Sequence, residues 1–375
     1  MLIPFNKPYI PLRAIKNMAV VAISGTIAGN GTYTKRCHRI FEDRFGFKKV
    51  LLTTSCSDAL EMTALLCRIE PGDEVIMPSF TFMSTANAFL LRGAKVLFAD
   101  TQPDIPNIDP AEIEKLITPR TKLIVVVHYG GVACDMDRIM DIAHKNNLLV
   151  VEDAAHAIES AYRGRLLGSI GHLGTFSFHE TKNITCGEGG LLIINDERFI
   201  QRAEIIWEKG TNRAAFYRGE VDKYGWVDIG SSYLPSDALA SFLYLQLKTI
   251  HKIQDRRIDH WKRYHKGLEH LEEKGYLKRP VIPEYATVNG NMYYFIMSSP
   301  EERDKMLHYL KSKGVQAVFH YLPLHSSPYF KDKHDGRSLP NTDRFSSCIV
   351  RLPFYYGLKK RQIDYIVKMI STCFH

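Results

Sequence analysis

Three segments of the sequence carry side chains that could act together on a carbonyl compound bearing a phosphate. Lys182 lies in FSFHETKNITCGEGG (176–190), between aromatic residues and glycines, a setting that can lower the pKa of a lysine and make its amine a nucleophile toward carbonyls. Asp153 ends the apolar run LLVVED. Ser55-Cys56-Ser57-Asp58 joins a predicted strand to a predicted helix, where backbone N–H groups and hydroxyls favour an anion. Taken singly, each segment could equally be a surface loop, an ion pair or a helix cap.

Taken together, these groups match the needs of one cofactor. Pyridoxal phosphate requires an anion site, an acid that keeps its pyridinium nitrogen protonated, and a lysine. Competing motifs are missing from the sequence: it has no GxxxxGK[ST], no GxGxxG after a strand and no GxSxG. His179-Glu180 is followed by Asn183, so HExxH also fails, and no metal site is predicted.

The elements that must position these residues alternate between strands and helices. Predicted strands are 48–54, 73–79, 95–100, 121–129, 148–154, 174–178 and 189–196, and predicted helices are 57–69, 82–92, 135–146 and 197–208. Strands that are apolar on both faces indicate a parallel sheet buried between helices. Because ligands bind beyond the carboxyl ends of such strands, we expect the residues that follow these strands to share one site.

The chain beyond residue 208 has a different pattern. Residues 209–234 are rich in aromatic, glycine and charged residues without clear periodicity, as in functional or disordered loops. Residues 235–273 read as one long connecting helix. The remainder is α+β, with a helix near 301–313, a strand near 315–320 and a final helix from about 359. We therefore predict a large domain over 1–247 and a small domain over 248–375.

Composition excludes several classes of protein. With 45% hydrophobic and 24% charged residues, the 375-residue chain is not a disordered, collagen-like or coiled-coil protein. No apolar run approaches the roughly 18 residues of a spanning helix, and MLIPFNKPYIPLR lacks the pattern of a secretory signal. The seven cysteines include no CxxC pair, so neither a disulfide framework nor a zinc site is indicated. We expect a cytoplasmic protein whose net charge of +8 suits an anionic partner.

At a wider scale, the chain resembles the DegT–StrS family of sugar aminotransferases. The motifs that carry the resemblance run almost from end to end: IPFNKP at the start, PGDEVIMPSFTFMSTANAF (71–89), HYGGVACDMD (128–137), VEDAAHA (151–157), FSFHETKNITCGEGG (176–190) and FHYLPLH (319–325). The resemblance implies a pyridoxal-phosphate-dependent transferase of fold type I, like aspartate aminotransferase. This fold class is α/β, with a large, mostly parallel sheet domain and a smaller α+β C-terminal domain.

The resemblance also implies a role for each candidate residue around the cofactor ring. Lys182 would bind the cofactor covalently and later transfer a proton between cofactor and sugar. Asp153 would pair with the pyridinium nitrogen, Phe82 would stack on the ring, and His156 would reach the phenolic oxygen. Many members of the family carry Gln in place of His156.

The phosphate of the cofactor would be held by small polar residues. Ser55, Cys56, Ser57 and Ser177 would supply backbone N–H groups and hydroxyls. His179 would lie beside the lysine. Ser232, in GSSY, stands where many members have an Asn that reaches the phosphate of the neighbouring subunit, which implies a homodimer with shared active sites.

Three further segments resemble a narrower branch of the family. LLTTSCSDALEM (51–62), EKGTNRAAFYRGEVDKYGW (208–226) and DIGSSYL (228–234) are similar to the branch that makes dTDP-4-amino-4,6-dideoxygalactose for enterobacterial common antigen. This implies L-glutamate and a dTDP-linked 4-keto-6-deoxy sugar as substrates. The residues expected to line the sugar site are Lys209, Arg213, His320, Tyr321 and His325.

Alternatives remain open at this point. A sugar 3-dehydratase of the same fold would carry His in place of Lys182. Another sugar aminotransferase could differ in keto position, nucleotide or stereochemistry. A non-catalytic cofactor-binding regulator belongs to a different class. A nucleic-acid-binding protein is disfavoured because the sequence has no helix-turn-helix and no basic patch interleaved with aromatic residues, and no membrane partner is expected.

Overall fold

The computed structural model describes residues 2–374, so the outer bounds of the predicted domains, residues 1 and 375, lie outside the described residues. The strands are β1 (Lys49–Thr53), β2 (Glu74–Pro78), β3 (Lys95–Ala99), β4 (Thr121–Val127), β5 (Leu149–Asp153), β6 (Ala161–Tyr162), β7 (Arg165–Leu166), β8 (Leu173–Ser177), β9 (Gly190–Ile194), β10 (Tyr294–Ile296) and β11 (Ile349–Arg351).

The helices follow the same numbering. They are α1 (Leu12–Ile23), α2 (Thr32–Arg39), α3 (Cys56–Leu66), α4 (Met83–Leu90), α5 (Pro110–Leu116), α6 (Met136–Lys145), α7 (Ile200–Trp207), α8 (Arg213–Tyr217), α9 (Asp237–Lys248), α10 (Ile250–Gly267), α11 (Glu269–Glu273), α12 (Pro300–Ser312), α13 (Pro340–Cys348) and α14 (Lys360–Cys373). Short π and 3₁₀ turns occupy 40–44, 129–131 and 197–199. None of the helices within residues 2–374 is long and apolar enough to cross a lipid bilayer.

A seven-stranded sheet organises the first half of the chain. Its strand order is β1-β9-β8-β5-β4-β2-β3, and β9 runs antiparallel to both of its neighbours, β1 and β8. The remaining pairs are parallel. This confirms the predicted α/β fold with a large, mostly parallel sheet. The carboxyl ends of β2, β4, β5 and β8 therefore meet along one edge of the sheet.

Both faces of this sheet are covered. Alternate residues of one strand enter different apolar clusters: Val150 packs with one and Val151 with the other, and both are fully buried. Side chains of a strand point alternately to opposite faces, so strands buried on both faces read as continuous apolar runs. The predicted strands were recognisable for this reason.

A smaller α+β unit follows. The antiparallel pair β10–β11 packs with α12 and α14, and this unit has its own apolar cluster, which includes Tyr264, Phe295 and Ile366. Thr249 separates α9 from α10, two residues beyond our predicted boundary of 247/248. That boundary remains a proposal.

Two predicted elements differ from the observed ones. The helix expected over 235–273 is three helices, divided at Thr249 (φ −114°, ψ 12°) and at Leu268 (φ −98°, ψ 0°). The hydroxyl of Thr249 donates to the carbonyl of Leu245 (3.0 Å), a side-chain hydrogen bond that competes with the helical pattern.

The strand expected near 315–320 is reduced to single bridges at Val315 and Val318. Residues 209–234 contain the short helix α8.

Glu152 in β5 is held by a cage of hydrogen-bond donors. The fully buried carboxylate accepts from the backbone N–H groups of Gly168 (2.8 Å), Ile170 and Gly171 (both 2.6 Å). His128 Nε2 donates to it at 2.9 Å, while His128 Nδ1 accepts from the N–H of Cys134. A buried charge is tolerated when it is hydrogen-bonded this completely. The cage fixes the orientation of β5 around its last residues.

Replacing Glu152 with Gln should destabilise the protein strongly. The amide NH₂ would face backbone N–H groups that need an acceptor, so we expect a loss of about 3–5 kcal/mol in the free energy of unfolding. Urea unfolding followed by circular dichroism measures it. Glu114→Gln is the matched control, because this exposed carboxylate should contribute less than about 0.5 kcal/mol. Equal unfolding midpoints for the two variants would contradict the role of the cage.

Candidate active site

A cavity of about 590 Å³ opens at the carboxyl edge of the sheet. It collects most of the residues that the sequence singled out, and the following line it: Ser55, Cys56, Ser57, Phe82, Asp153, His156, Ser177, His179, Lys182, His320 and Tyr321. They come from segments as distant as 55 and 321 in the chain. The sheet edge therefore brings the predicted lysine, acid and small polar residues to one place.

Asp153 is the last residue of β5 and is 6% exposed. Its Oδ2 accepts from the hydroxyl of Thr85 (2.7 Å) and its Oδ1 from the backbone N–H of Ala155 (3.2 Å). The Thr85 hydroxyl also contacts that of Thr81 (2.8 Å). These contacts fix the carboxylate at the cavity wall, where it can pair with a cationic or N–H group of a ligand.

The amino end of α3 forms another part of the wall. Ser55 caps this helix, with its Oγ accepting from the N–H of Asp58 (3.0 Å), and the hydroxyl of Ser57 donates to Ser84 (2.7 Å). Gly190 packs so closely that a Cβ there would lie 2.4 Å from the backbone of Ser55. Only glycine permits this approach, which seats the helix terminus beside β9. A helix amino end that carries backbone N–H groups and neighbouring hydroxyls favours an anion.

Lys182 lies in the loop between β8 and β9, with its side chain half-buried in the cavity. Its backbone N–H donates to the carbonyl of His179 (3.0 Å). Its ammonium group makes no hydrogen bond or ion pair with any residue in 2–374. Burial lowers the pKa of Lys182 to about 8; the negative charge of Asp153 opposes this shift and the positive charge of Arg351 adds to it. A substantial fraction of the amine is therefore neutral near pH 8.

Aromatic and imidazole rings complete the cavity. His156 is 8% exposed and its Nδ1 accepts from the N–H of Gly130 (3.3 Å). Burial, together with the charges of Lys182 and Arg351, lowers the pKa of His156 well below its usual range, so this ring is neutral. Phe82 leaves 50% of its surface open. An open aromatic face at a cavity can stack on a planar ligand.

Four predicted residues do not line the cavity of their own protomer. Ser232 is exposed and pairs with Glu208 in a single bridge, and Lys209 and Arg213 are exposed on the neighbouring segment. His325 is buried elsewhere, with Nδ1 2.9 Å from the hydroxyl of Ser79. The roles given to these residues by the resemblance remain predictions.

The cavity also contains residues that the sequence reasoning missed. Arg351 ends β11, lines the cavity and has a buried Nε without a hydrogen-bond partner among residues 2–374. Its guanidinium lies 4.9 Å from the ring centre of Phe5, another lining residue. Thr85, which also lines the cavity, is a further omission. A charged residue at the end of an apolar strand, as in IVRLPF, was the one signal that could have identified Arg351.

The chemistry of these groups fits pyridoxal phosphate. The amino end of α3 with Ser55 and Ser57 offers an anion site, Asp153 offers a carboxylate, and Lys182 offers an unpaired amine of lowered pKa. These are the three functions that this cofactor requires, and one cavity provides all of them.

The lowered pKa of Lys182 predicts how the apoprotein should capture added pyridoxal phosphate. Only the neutral amine reacts, so with a pKa of about 8 the rate constant should rise about tenfold per pH unit below pH 8 and level off above about pH 9. Stopped-flow absorbance measures it, with Lys182→Ala as the control that shows no covalent capture. A rate that keeps rising toward pH 10.5, the value of an ordinary lysine, would contradict the lowered pKa.

Known proteins of similar sequence or fold include aminotransferases. The chain is 30% identical, over 98% of its length and 96% of the other protein, to the spore coat polysaccharide biosynthesis protein SpsC of Bacillus subtilis. Its fold matches the aminotransferase TlmJ of Streptoalloteichus hindustanus (TM-score 0.91, 28% identity, 100% and 99% of the two chains). It also matches the PLP form of the sugar aminotransferase Spr1654 of Streptococcus pneumoniae, described as putative (TM-score 0.91, 27% identity, 100% and 98%).

A family model settles the classification. The model of the DegT/DnrJ/EryC1/StrS aminotransferase family matches residues 10–371, nearly the whole chain. The site geometry and this match lead to the same class of chemistry, and the chain belongs to the DegT/DnrJ/EryC1/StrS aminotransferase family as a pyridoxal-phosphate-dependent aminotransferase.

Proposed function

We propose that this aminotransferase transfers the amino group of L-glutamate to the 4-keto carbon of dTDP-4-dehydro-6-deoxy-D-glucose. The products are dTDP-4-amino-4,6-dideoxy-D-galactose and 2-oxoglutarate. The amino sugar would enter a cell-surface polysaccharide such as enterobacterial common antigen or O-antigen. The observation that carries the proposal is the single cavity in which Lys182, Asp153 and the amino end of α3 meet.

Different residues of this cavity have different roles in amino transfer. When bound, the cofactor would supply an electron sink for the reacting carbon and a carbonyl carbon able to carry the amino group between the two substrates. Lys182 Nζ, neutral in part at physiological pH, accepts and returns the proton at the reacting carbon. Asp153 holds positive charge at the far side of the ring, and the α3 end with Ser55 and Ser57 anchors the phosphate.

A sugar substrate is supported by the relatives. SpsC is described as a polysaccharide biosynthesis protein and Spr1654 as a putative sugar aminotransferase. The segments 51–62, 208–226 and 228–234 resemble the branch that makes the 4-amino-galacto sugar, and the net charge of +8 suits a nucleotide diphosphate. These observations favour the dTDP-linked sugar over substrates of other classes.

Arg351 supports an amino acid as the donor. Its guanidinium carries no ion pair within residues 2–374, and its Nε is buried without a partner. An unpartnered guanidinium beside a reactive amine is a binding site for a carboxylate, which it can hold by two parallel hydrogen bonds. The α-carboxylate of L-glutamate supplies that group.

A homodimer is part of the proposal. Leu12, Ile15 and Ile23 of α1 expose 58–87% of their surface, and several large apolar side chains exposed on one helix indicate a subunit contact. Ser232 and Arg213 lie outside the cavity of their own protomer, so a second copy of the chain would bring them to the site of its partner.

A substrate panel tests the function. We expect the purified protein to absorb visible light, to change spectrum on addition of L-glutamate, and to convert a nucleotide-linked 4-keto sugar to an axial C4 amine detectable by NMR. Lys182→Ala should lack both spectrum and turnover. Sedimentation should report twice the 42.9 kDa of one chain.

Several results would refute specific parts of this proposal. Turnover of 3-keto sugars alone, or an equatorial C4 amine, would exclude the proposed sugar and leave another aminotransferase of the family. A protein that binds the cofactor without turning over any sugar of the panel would indicate a regulator. A monomer in sedimentation would exclude the shared site.

The Arg351→Met variant tests the donor site separately. Loss of a charged hydrogen-bonding partner should lower kcat/KM for L-glutamate by about 10- to 100-fold, while the reaction of the aminated enzyme with the keto sugar changes by less than about threefold. Arg361→Met, on the exposed side of α14, is the matched control. Equal losses in both half-reactions would show that Arg351 does not bind the donor selectively.

A further inference from the structure

Tyr129 lies in a buried turn just beyond β4, where hydrogen bonds of its backbone N–H and of its side-chain hydroxyl fix its position. It is 1% exposed, and its backbone N–H donates to the side chain of Asn107 (3.1 Å). Its hydroxyl lies 3.0 Å from His320 Nδ1, and within residues 2–374 this nitrogen is the hydroxyl's one hydrogen-bond partner. A buried hydroxyl left without an acceptor is costly, so the Tyr129 O–H donates to Nδ1.

This hydrogen bond selects one form of the His320 ring. Because Nδ1 accepts a hydrogen bond from the Tyr129 hydroxyl, a neutral ring must carry its own hydrogen on Nε2. The ring is neutral, since burial and the charges of Arg351 and Lys182 together lower the pKa of His320 far below its usual range. His320 Nε2 is therefore a hydrogen-bond donor.

The Nε2–H group of His320 is available to bind a substrate. His320 lines the same cavity as Lys182, and its Nε2 has no partner within the described part of the chain, residues 2–374. The ring of His156 lies 6.4 Å away, and its Nδ1 also accepts a hydrogen bond, from Gly130. Two neutral imidazoles thus keep their Nε2–H groups for ligands. The resemblance gives the one on His156 to the cofactor, which leaves that of His320 for the substrate.

A neutral N–H suits a neutral oxygen. Arg351, a cation of the cavity that has no ion pair within residues 2–374, already offers the stronger site for a carboxylate. In a 4-keto-6-deoxy hexose, the hydroxyl nearest the reacting carbon is on C3, since C5 carries the ring oxygen and the methyl group. We propose that His320, held in its Nε2–H form by Tyr129, donates a hydrogen bond to this C3 hydroxyl and selects sugars that carry it. This inference rests on the proposed function and deepens it.

The test compares two sugars, the nucleotide-linked 4-keto-6-deoxy hexose and its 3-deoxy analogue, across four variants. His320→Leu should lower kcat/KM for the hydroxylated sugar by about 10- to 100-fold, and His320→Gln should recover most of it because its amide N–H can occupy the position of Nε2–H. His320→Asn should not, since its amide matches Nδ1. Tyr129→Phe should lose about 3- to 10-fold, because the ring can then change tautomer.

The 3-deoxy analogue provides the decisive readout. The analogue lacks the C3 hydroxyl that would accept the hydrogen bond, so wild type and His320→Leu should turn the analogue over equally. The L-glutamate half-reaction should be unchanged in every variant. Bound cofactor, read from the visible spectrum, reports that the variants have folded.

Three results would overturn the inference. A loss in His320→Leu that is equal for both sugars, or that extends to the L-glutamate half-reaction, would show a structural role instead. Equal activity of His320→Gln and His320→Leu on the hydroxylated sugar would exclude the donor. A wild-type protein that aminates no 4-keto sugar would overturn this inference and the proposed function together, whereas the other results leave the proposed function intact.

Discussion

The alternation of two neighbouring carboxylates on β5 is the constraint on which the site depends. Glu152 and Asp153 are consecutive, so their side chains point to opposite faces of the sheet. Glu152 is fully buried and saturated by the N–H groups of residues 168–171 and by His128. With Glu152 fixed in this way, Asp153 can point only toward the cavity, where Thr85 holds it. A shift of β5 by one residue in its register would move the Glu152 and Asp153 side chains to the opposite faces of the sheet, where neither would meet its present partners.

Parallel pairing extends this constraint to the rest of the site. Because β4, β5 and β8 run in the same direction, their carboxyl ends lie at the same edge of the sheet. The segments that follow these strands therefore begin close together, whatever the sequence of each loop. The close approach of Gly190 to Ser55 adds the amino end of α3 to the same edge, and the loop after β8 adds Lys182. The anion site, the acid and the amine are therefore consequences of one sheet topology.

Sequence reasoning succeeded where local pattern determines position. Asp153 and Lys182 follow buried strands, and apolar runs identify such strands directly. It missed Arg351 and Phe5, because they reach the cavity from the small α+β unit and from the start of the chain, through contacts that no periodicity encodes. The prediction of one helix over 235–273 was wrong for a local reason, because the Thr249 hydroxyl donates to a carbonyl of the preceding helix. The sequence alone does not distinguish a threonine that makes this hydrogen bond from an exposed threonine that does not.

The electrostatics of the cavity explain why its polar groups can differ in role. Lys182 and Arg351 are cations without ion-pair partners within residues 2–374, and their fields act on the same buried imidazoles. A positive field disfavours a further positive charge, so His156 and His320 stay neutral beside these two cations. One cavity thereby offers a cation to anionic groups and neutral N–H donors to uncharged oxygens. An enzyme that must accept an amino acid and a sugar in turn at the same lysine needs both kinds of donor, because the carboxylate of the amino acid is charged and the oxygens of the sugar ring are not.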